Sequence, residues 1–292
     1  MKFYTIESDN KQYVAVEKGD KKLVTLELIG VSVNDMNDLI ARYDELNAPI
    51  KKGLEADVKE LDETEYVVKA PIPVPRQDII CLGVNYAEHI EETKDTVDFT
   101  QKKDAVYFSK RVNLANDPNG IIPAYDHVDS LDYEVELGVV LEKDALNVDV
   151  NDAGSYIFGY TIINDVSARN IQLKHQQWYR GKSLDGYTPM GPCIVTADEI
   201  GDAHDLNICC YVNDEKRQDS NTKYMITTVE EAIAELSQGM TLKAGTIIAT
   251  GTPGGVAMGM KPPVFLKEGD TVSCFIDGIG ELTNTVKGVT QG

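Results

Sequence analysis

The sequence has few basic residues. Of its 292 residues, 28 are lysine or arginine and 48 are aspartate or glutamate, which gives a formal net charge of −20. Because nucleic-acid binding depends on basic side chains that neutralise phosphates, this balance argues against a nucleic-acid partner. No apolar run approaches the roughly 20 residues that span a bilayer, and the N-terminus lacks the apolar core of a secretory signal. We therefore expect a cytoplasmic protein without a membrane segment.

Cysteine is also scarce, and its spacing is uninformative for metal binding. The chain has five cysteines, an odd number, and no two of them form a CxxC pair. Neither a disulfide framework nor a zinc site is therefore predicted, and we expect reduced, mostly buried thiols.

One stretch combines apolar and acidic residues in strict alternation, from Leu131 to Leu137. In a β-strand, this spacing places Asp132, Glu134 and Glu136 on one face. Crowded carboxylates repel one another unless a cation lies between them, and hard cations such as Mg²⁺, Mn²⁺ or Ca²⁺ prefer oxygen ligands. The alternative is an ordinary amphipathic strand whose acidic face is in water.

Histidine is rare, with four in the chain, and one of them lies in an acidic segment predicted to be helical. His89 and Glu92 are three residues apart, so on a helix they face the same way. A carboxylate at this spacing can orient an imidazole and raise its basicity, which suits activation of water. The alternative is a solvated surface helix with an incidental histidine.

Further candidates follow the apolar segments of the second half. A predicted strand, residues 156–165, ends on Asp165, a candidate third ligand. Ser167 is a candidate cap for a helix that places Arg169 and Gln172 on one face, suited to binding a carboxylate. Lys182 is predicted to lie in a polar loop, and a strand near residue 247 runs into a glycine-rich turn whose backbone amides suit an anionic oxygen. For each of these the alternative is an ordinary structural or solvated role.

Domain organisation is indicated by a proline-rich segment. Residues 70–75 read APIPVP, and because prolines fix φ and withhold backbone donors, we predict an extended connector there. Before it, short alternating runs and a helical pattern over residues 33–60 predict a small α+β domain. We therefore predict a small domain at residues 1–70 and a larger catalytic domain at residues 71–292.

Five blocks in a fixed order then give a specific resemblance: LGVNYAEHIEE, DYEVELGVVL, FGYTIINDVSARNIQ, GKSLDGYTPMGP and IIATGTPGGV. Together they resemble the fumarylacetoacetate hydrolase family over about residues 70–285. The resemblance implies a mixed, β-rich α+β fold with a β-sandwich or β-roll catalytic domain. It also implies a homodimer and a metal-dependent enzyme that acts on β-dicarbonyl or 2-oxo acids.

The resemblance assigns roles to residues of this chain. It implies that Mg²⁺ or Mn²⁺, with Ca²⁺ as a further choice, binds Glu134, Glu136 and Asp165. His89 and Glu92 match the pair that activates water, on a segment that orders as a lid in relatives, and Lys182 matches the lysine that stabilises an oxyanion. Substrate contacts are implied for Arg169, Gln172 and Thr252, whereas Asp132 matches no ligand position.

Two positions depart from the family pattern. Asn170 stands where the family often has aspartate, and Gly254-Gly255 stands where relatives commonly have Ser-Gly. The asparagine removes a charge next to Arg169. It therefore weakens the inference about substrate more than the inference about metal binding.

The implied function is cleavage of a C–C bond in a small oxo acid through a metal-bound enolate. Several reactions require stabilisation of such an enolate. They are hydrolysis of acylpyruvate or fumarylpyruvate and decarboxylation or isomerisation of oxaloacetate or related diacids. The sequence leaves hydrolase and decarboxylase/isomerase both open. The alternatives are a sugar-acid dehydratase of the same family and a non-catalytic metal-binding homologue.

Overall fold

The computed structural model describes residues 1–19, 22–94, 104–175 and 177–289. In these segments no helix has both the length and the apolar character needed to cross a membrane. The strands are β1 (Lys2–Ser8), β2 (Lys11–Glu17), β3 (Leu23–Thr25), β4 (Val67–Lys69), β5 (Ile79–Gly83), β6 (Val106–Lys110), β7 (Ile121–Tyr125), β8 (Leu131–Asp132), β9 (Val135–Leu141), β10 (Ile157–Asn164), β11 (Ser167–Ala168), β12 (Met190–Thr196), β13 (Asn207–Val212), β14 (Glu215–Asn221), β15 (Ile247–Ala249), β16 (Thr271–Ile276) and β17 (Gly280–Val289).

The helices are short and lie between the strands. The α-helices are α1 (Met36–Ala41), α2 (Tyr43–Leu54), α3 (Ala87–Thr93), α4 (Val150–Ala153), α5 (Arg169–Lys174), α6 (Tyr179–Lys182), α7 (Ala197–Ile200) and α8 (Val229–Leu236). Single 3₁₀ turns cover Leu26–Ile29, Glu63–Glu65, Gly154–Tyr156, Thr222–Tyr224 and Ala257–Gly259.

Two open sheets form the body. The larger has ten strands in the order β3-β2-β1-β12-β10-β9-β15-β5-β6, with β4 also paired to β1. The smaller has the order β14-β13-β16-β17-β7, and β8 pairs separately with β11. Neither sheet closes on itself within the described residues. The predicted mixed, β-rich α+β class is confirmed.

The N-terminal strands extend the large sheet. β1 pairs antiparallel with β12, in the register Lys2↔Val195, and with β2 on its other side. The helical pattern after residue 33 becomes α1 and α2, and Asp35 caps α1 by accepting a hydrogen bond from the N–H of Asp38 at 2.8 Å. Residues 70–78 contain neither helix nor strand, as expected for a connector. A domain boundary at residue 70 stays a prediction.

The acidic stretch lies at the centre of the large sheet. β9 is hydrogen-bonded to β10 on one side and to β15 on the other, and every residue of β9 is buried. The predicted strand is interrupted at Tyr133 and Glu134, between β8 and β9. Because Asp132, Glu134 and Glu136 are all buried, the alternative of an acidic face in water is wrong.

Candidate active site

Three carboxylates meet where β9 and β10 lie side by side. Glu134 immediately precedes β9, Glu136 lies within it, and Asp165 follows the last residue of β10. The N–H of Asp165 donates to the carbonyl of Glu134 at 2.9 Å, and the N–H of Glu134 donates to Oδ1 of Asn164 at 3.0 Å, so the backbone fixes their spacing. One oxygen from each of the three carboxylates lies within 4.8 Å of the other two. We call Glu134, Glu136 and Asp165 the carboxylate trio.

Two buried lysines contact this trio. Lys182 Nζ lies 2.5 Å from Glu134 Oε2 and 2.7 Å from Asp165 Oδ2. Lys110 Nζ lies 2.6 Å from Asp165 Oδ1 and also donates to the carbonyl of Val166 at 3.1 Å. The prediction that Lys182 lies in a loop is wrong, because it is the last residue of the short helix α6. Sequence reasoning gave Lys110 no role; it is the last residue of β6 and is buried.

The trio carries opposite pKa shifts at its two glutamates. Burial alone would raise the pKa of Glu134, but the nearby positive charges, chiefly Lys182, hold it well below its usual range. Burial, together with the charges of Asp165 and Glu134, instead raises the pKa of Glu136 well above its usual range. Glu136 accepts a hydrogen bond from the N–H of Gly251 at 2.9 Å, which offsets this only in part. Glu136 is therefore the carboxylate of the trio whose ionised form is least favoured by its surroundings.

The oxygen donors of the trio fit a hard divalent cation. Mg²⁺ binds oxygen ligands at about 2.0–2.1 Å and Ca²⁺ at about 2.3–2.6 Å, so two ligand oxygens are at most about 4.2 Å apart around Mg²⁺ and about 5.2 Å apart around Ca²⁺. The limit of 4.8 Å between the oxygens of the trio is close to both values. A divalent cation bound there would also offset the negative charges of Asp165 and Glu134, which raise the pKa of Glu136. A divalent metal at the carboxylate trio therefore fits the residues present, and its identity is not fixed by them.

Arg169 and Gln172 meet on one face of α5, as predicted. Arg169 Nη1 donates to Gln172 Oε1 at 2.9 Å, and Arg169 Nη2 donates to Glu134 Oε1 at 2.6 Å. Its Nε donates to Asp132 Oδ2 at 2.9 Å. An arginine has five N–H donors, so two remain beyond these three bonds. Both side chains line the cavity described below, where they can bind an anionic group.

The start of α5 differs from the sequence expectation. Ser167 lies in β11 and its hydroxyl donates to the carbonyl of Asp165, so the predicted helix cap is wrong. Asn170 donates from Nδ2 to the carbonyl of His127 at 3.0 Å and does not line the cavity. The negative charge that an aspartate would carry at this position therefore lies outside the cavity.

His89 and Glu92 form a hydrogen-bonded pair on α3. His89 Nδ1 lies 2.8 Å from Glu92 Oε1, and the imidazole is buried. The glycine-rich turn, residues 251–259, holds the carboxylate, because Gly255 N–H donates to Glu92 Oε2 at 2.7 Å and Val256 N–H lies 3.4 Å from Oε1. At Gly259 a Cβ would lie 2.5 Å from Glu92 Cδ. The predicted helical pairing is present, and because His89 is buried and bonded, the alternative of an incidental histidine in water is wrong.

Thr252 faces the cavity, but its hydroxyl is already bonded. It donates to the carbonyl of Val135 at 2.9 Å and accepts from Gln218 Nε2 at 2.7 Å. Gln218 also donates to the carbonyl of Pro253 and accepts from the N–H of Val135, so it ties the acidic strand to the glycine-rich turn. Sequence reasoning missed Gln218, which lies in the polar strand β14 with no distinguishing pattern around it.

A small cavity joins these groups. Its volume is about 30 Å³, room for two or three water molecules. Seven of the nine predicted site residues line it; Glu92 lies behind His89, and Asp165 lies behind Lys182. The rest of the lining is mostly apolar: Leu82, Val84, Thr93, Phe108, Leu173, Trp178 and Met258. The assigned roles themselves stay predictions.

Known proteins resemble this chain in sequence. Residues 78–287 match the fumarylacetoacetate (FAA) hydrolase C-terminal family. The chain is 38% identical over 305 residues to oxaloacetate tautomerase YisK of Bacillus subtilis (strain 168), covering 98% of this chain and 100% of the relative.

Solved structures agree in fold. A fumarylacetoacetate hydrolase from Exiguobacterium antarcticum superposes with a TM-score of 0.84 at 37% identity, covering 99% of this chain and 100% of that one. Maleylpyruvate hydrolase from Sphingobium sp. SYK-6, solved with manganese(II) and pyruvate, gives a TM-score of 0.81 at 26% identity, covering 99% and 100%.

Proposed function

Since the chain belongs to the fumarylacetoacetate hydrolase family of oxo-acid enzymes, we propose that it is a divalent-metal-dependent oxaloacetate tautomerase. The observation that carries the proposal is that His89, which is bonded to Glu92, lines the same cavity as Glu134 and Glu136 of the carboxylate trio. Tautomerisation needs only a base and a group that stabilises the enolate oxygen. The likeness to an oxaloacetate tautomerase over nearly the whole chain supports the choice among family reactions.

The proton transfer can be assigned to named atoms. Because Nδ1 of His89 bonds to Glu92, the imidazole exchanges a proton at Nε2. We propose that His89 removes a proton from C3 of the keto form and returns it to the C2 oxygen, which yields the enol with no other bond broken. Lys182 stabilises the negative charge on that oxygen, and Arg169 with Gln172 binds a carboxylate. A divalent cation held by the carboxylate trio would supply further positive charge to the enolate oxygen.

Acylpyruvate hydrolysis is the second candidate. A histidine oriented by a carboxylate also suits deprotonation of water, and a structural neighbour is a maleylpyruvate hydrolase. In this version water attacks the distal carbonyl and the C–C bond breaks to release pyruvate enolate and a second acid. Decarboxylation of oxaloacetate is a further outcome of the test, and no turnover of any substrate in it would favour sugar-acid dehydration or a non-catalytic metal-binding role.

The test uses purified protein with Mg²⁺, with Mn²⁺ and with EDTA. Enol absorbance of oxaloacetate, followed against the spontaneous rate, should relax faster with metal and without formation of pyruvate. Pyruvate with CO₂ would indicate a decarboxylase instead, and pyruvate with a second acid from acetylpyruvate or fumarylpyruvate would indicate a hydrolase. His89→Ala should lower kcat by about 10²–10⁴-fold while Mn²⁺ still binds. Unchanged turnover in that variant would contradict the assigned base.

We also propose an oligomeric state and a cellular location. The family resemblance implies a homodimer, and the lack of an apolar signal-like segment in the sequence favours the cytoplasm. Light scattering of the purified protein measures the oligomeric state directly, and a monomer would overturn that part of the proposal.

A further inference from the structure

We propose that Asp132 is a positioning residue that ties the substrate-binding Arg169 to the glycine-rich turn and thereby fixes Glu92 against His89. The inference rests on the proposed function, which supplies the roles of Arg169 and His89. Asp132 itself does not line the cavity and does not belong to the carboxylate trio.

The hydrogen bonds of Asp132 show how it is used. Oδ1 accepts from the N–H of Tyr133 at 2.9 Å and from the N–H of Ala257 at 2.8 Å. Oδ2 accepts from the N–H of Met258 at 3.0 Å and from Nε of Arg169 at 2.9 Å. The side chain is fully buried. A carboxylate has about four acceptor sites, so these four donors fill it.

Two of these bonds fix the turn that holds Glu92. Ala257 and Met258 lie between Val256, whose N–H points to Glu92, and Gly259, whose missing Cβ leaves room for it. Without its bonds to Asp132, the turn is free to shift at Val256 and at Gly259, its two contacts with Glu92. The Glu92 carboxylate then loses the geometry that orients the imidazole.

The fourth bond fixes the other side of the cavity. Arg169 has three different partners: Asp132 at Nε, Gln172 at Nη1 and Glu134 at Nη2. Asp132 therefore connects the side chain that binds the substrate carboxylate with the backbone that positions the base. Since both contacts end on one carboxylate, a displacement at one side is passed to the other.

Asp132→Asn is the informative variant. The amide keeps the size of the carboxylate, but its NH₂ group faces N–H donors and cannot accept from them. One pair of bonds is therefore lost: either Tyr133 and Ala257, or Met258 and Arg169. Asp270→Asn is the matched control, because Asp270 is also buried and accepts from the N–H of Lys267 at 2.9 Å, in the turn before β16.

The first measurement does not depend on turnover. Hydrogen exchange of the peptide that covers α3, in the full-length protein, should be roughly 10-fold faster in Asp132→Asn, because the loss of buried hydrogen bonds in the supporting turn makes local opening of α3 easier. Asp270→Asn should leave the exchange of α3 unchanged. Wild-type exchange of α3 in Asp132→Asn would overturn the proposal, and it would do so even if the wild-type protein did not act on oxaloacetate.

The second measurement is a double-mutant cycle on kcat. Asp132→Asn alone should lower kcat by roughly 10- to 100-fold, with a smaller loss in Mn²⁺ affinity. If Asp132 acts through Glu92, the same substitution in a Glu92→Gln background should cost much less. Fully additive losses would overturn the proposed route. Absence of activity in the wild-type protein would refute the proposed function alone, and the exchange experiment would still decide the role of Asp132.

Discussion

Replacing Lys182 by methionine should make the stability of the protein depend on divalent cations. Lys182 Nζ lies 2.5 Å from Glu134 and 2.7 Å from Asp165, and its side chain is only 3% exposed. Removing one partner of a buried ion pair costs about 3–5 kcal/mol, because the other charge stays buried without compensation. For a chain of this length, about 2 °C of Tm per kcal/mol converts this to a loss of roughly 6–10 °C in EDTA.

A divalent cation should restore much of that loss. At a concentration of about 100 times Kd, a ligand that binds only the folded state stabilises it by about 2.7 kcal/mol. The cation should raise the Tm of Lys182→Met by more than that of the wild type, since no ammonium group competes for Glu134 and Asp165. The assay is thermal unfolding with EDTA, Mg²⁺ and Mn²⁺.

An exposed ion pair provides the control. Lys243 Nζ lies 2.7 Å from Asp144, but the two side chains are 57% and 52% exposed. Exposed pairs contribute about 0–1 kcal/mol, so Lys243→Met should change Tm little and show no response to metal beyond that of the wild type. If Lys182→Met behaves like Lys243→Met in EDTA, or if its metal response equals that of the wild type, the account of the buried site is refuted.

Two further predictions concern a glycine and a distant acid. Gly259→Ala should lower kcat and leave Tm nearly unchanged, because the new Cβ would lie 2.5 Å from Cδ of Glu92, a side chain that can move away. The control is Gly154→Ala, whose Cβ would lie no nearer than 3.9 Å to another atom. Equal kcat in the two variants would contradict the prediction. Burial and Asp44 raise the pKa of Glu142 above its usual 4.5. Protonated Glu142 therefore contributes to stability below pH 4.5, and this contribution is lost as the pH rises through the raised pKa. Glu142→Gln should therefore raise Tm near neutral pH and give no gain in acid, and thermal unfolding across this range would show the opposite trend if the glutamate were stabilising when ionised.

The acidic strand shows what the sequence could predict and what it could not. Alternation placed Glu134 and Glu136 on one face because the side-chain period of a strand is two residues. The same pattern suits a strand with one face in water, and only the fold shows that β9 has neighbours on both sides and is buried throughout. The choice between a metal site and a solvated face thus depended on the position of β9 in the sheet, which local periodicity does not contain.

Local spacing was sufficient where both partners lie on one short helix. His89 and Glu92 are three residues apart, as are Arg169 and Gln172, and each pair is hydrogen-bonded in the structure. Short helices themselves were harder to predict, since Lys182 ends a four-residue helix within a segment whose glycine and polar residues indicated a loop.

The supporting side chains were out of reach of such reasoning because their partners are distant in the chain. Asp132 contacts Ala257 across 125 positions, Gln218 contacts Val135 across 83, and Lys110 contacts Asp165 across 55. A lone buried carboxylate, amide or ammonium group is costly in free energy, and only the folded chain supplies the donors and acceptors that offset this. The residues that perform the proposed chemistry therefore carry local signals, whereas the residues that hold them in place are defined only by the tertiary structure.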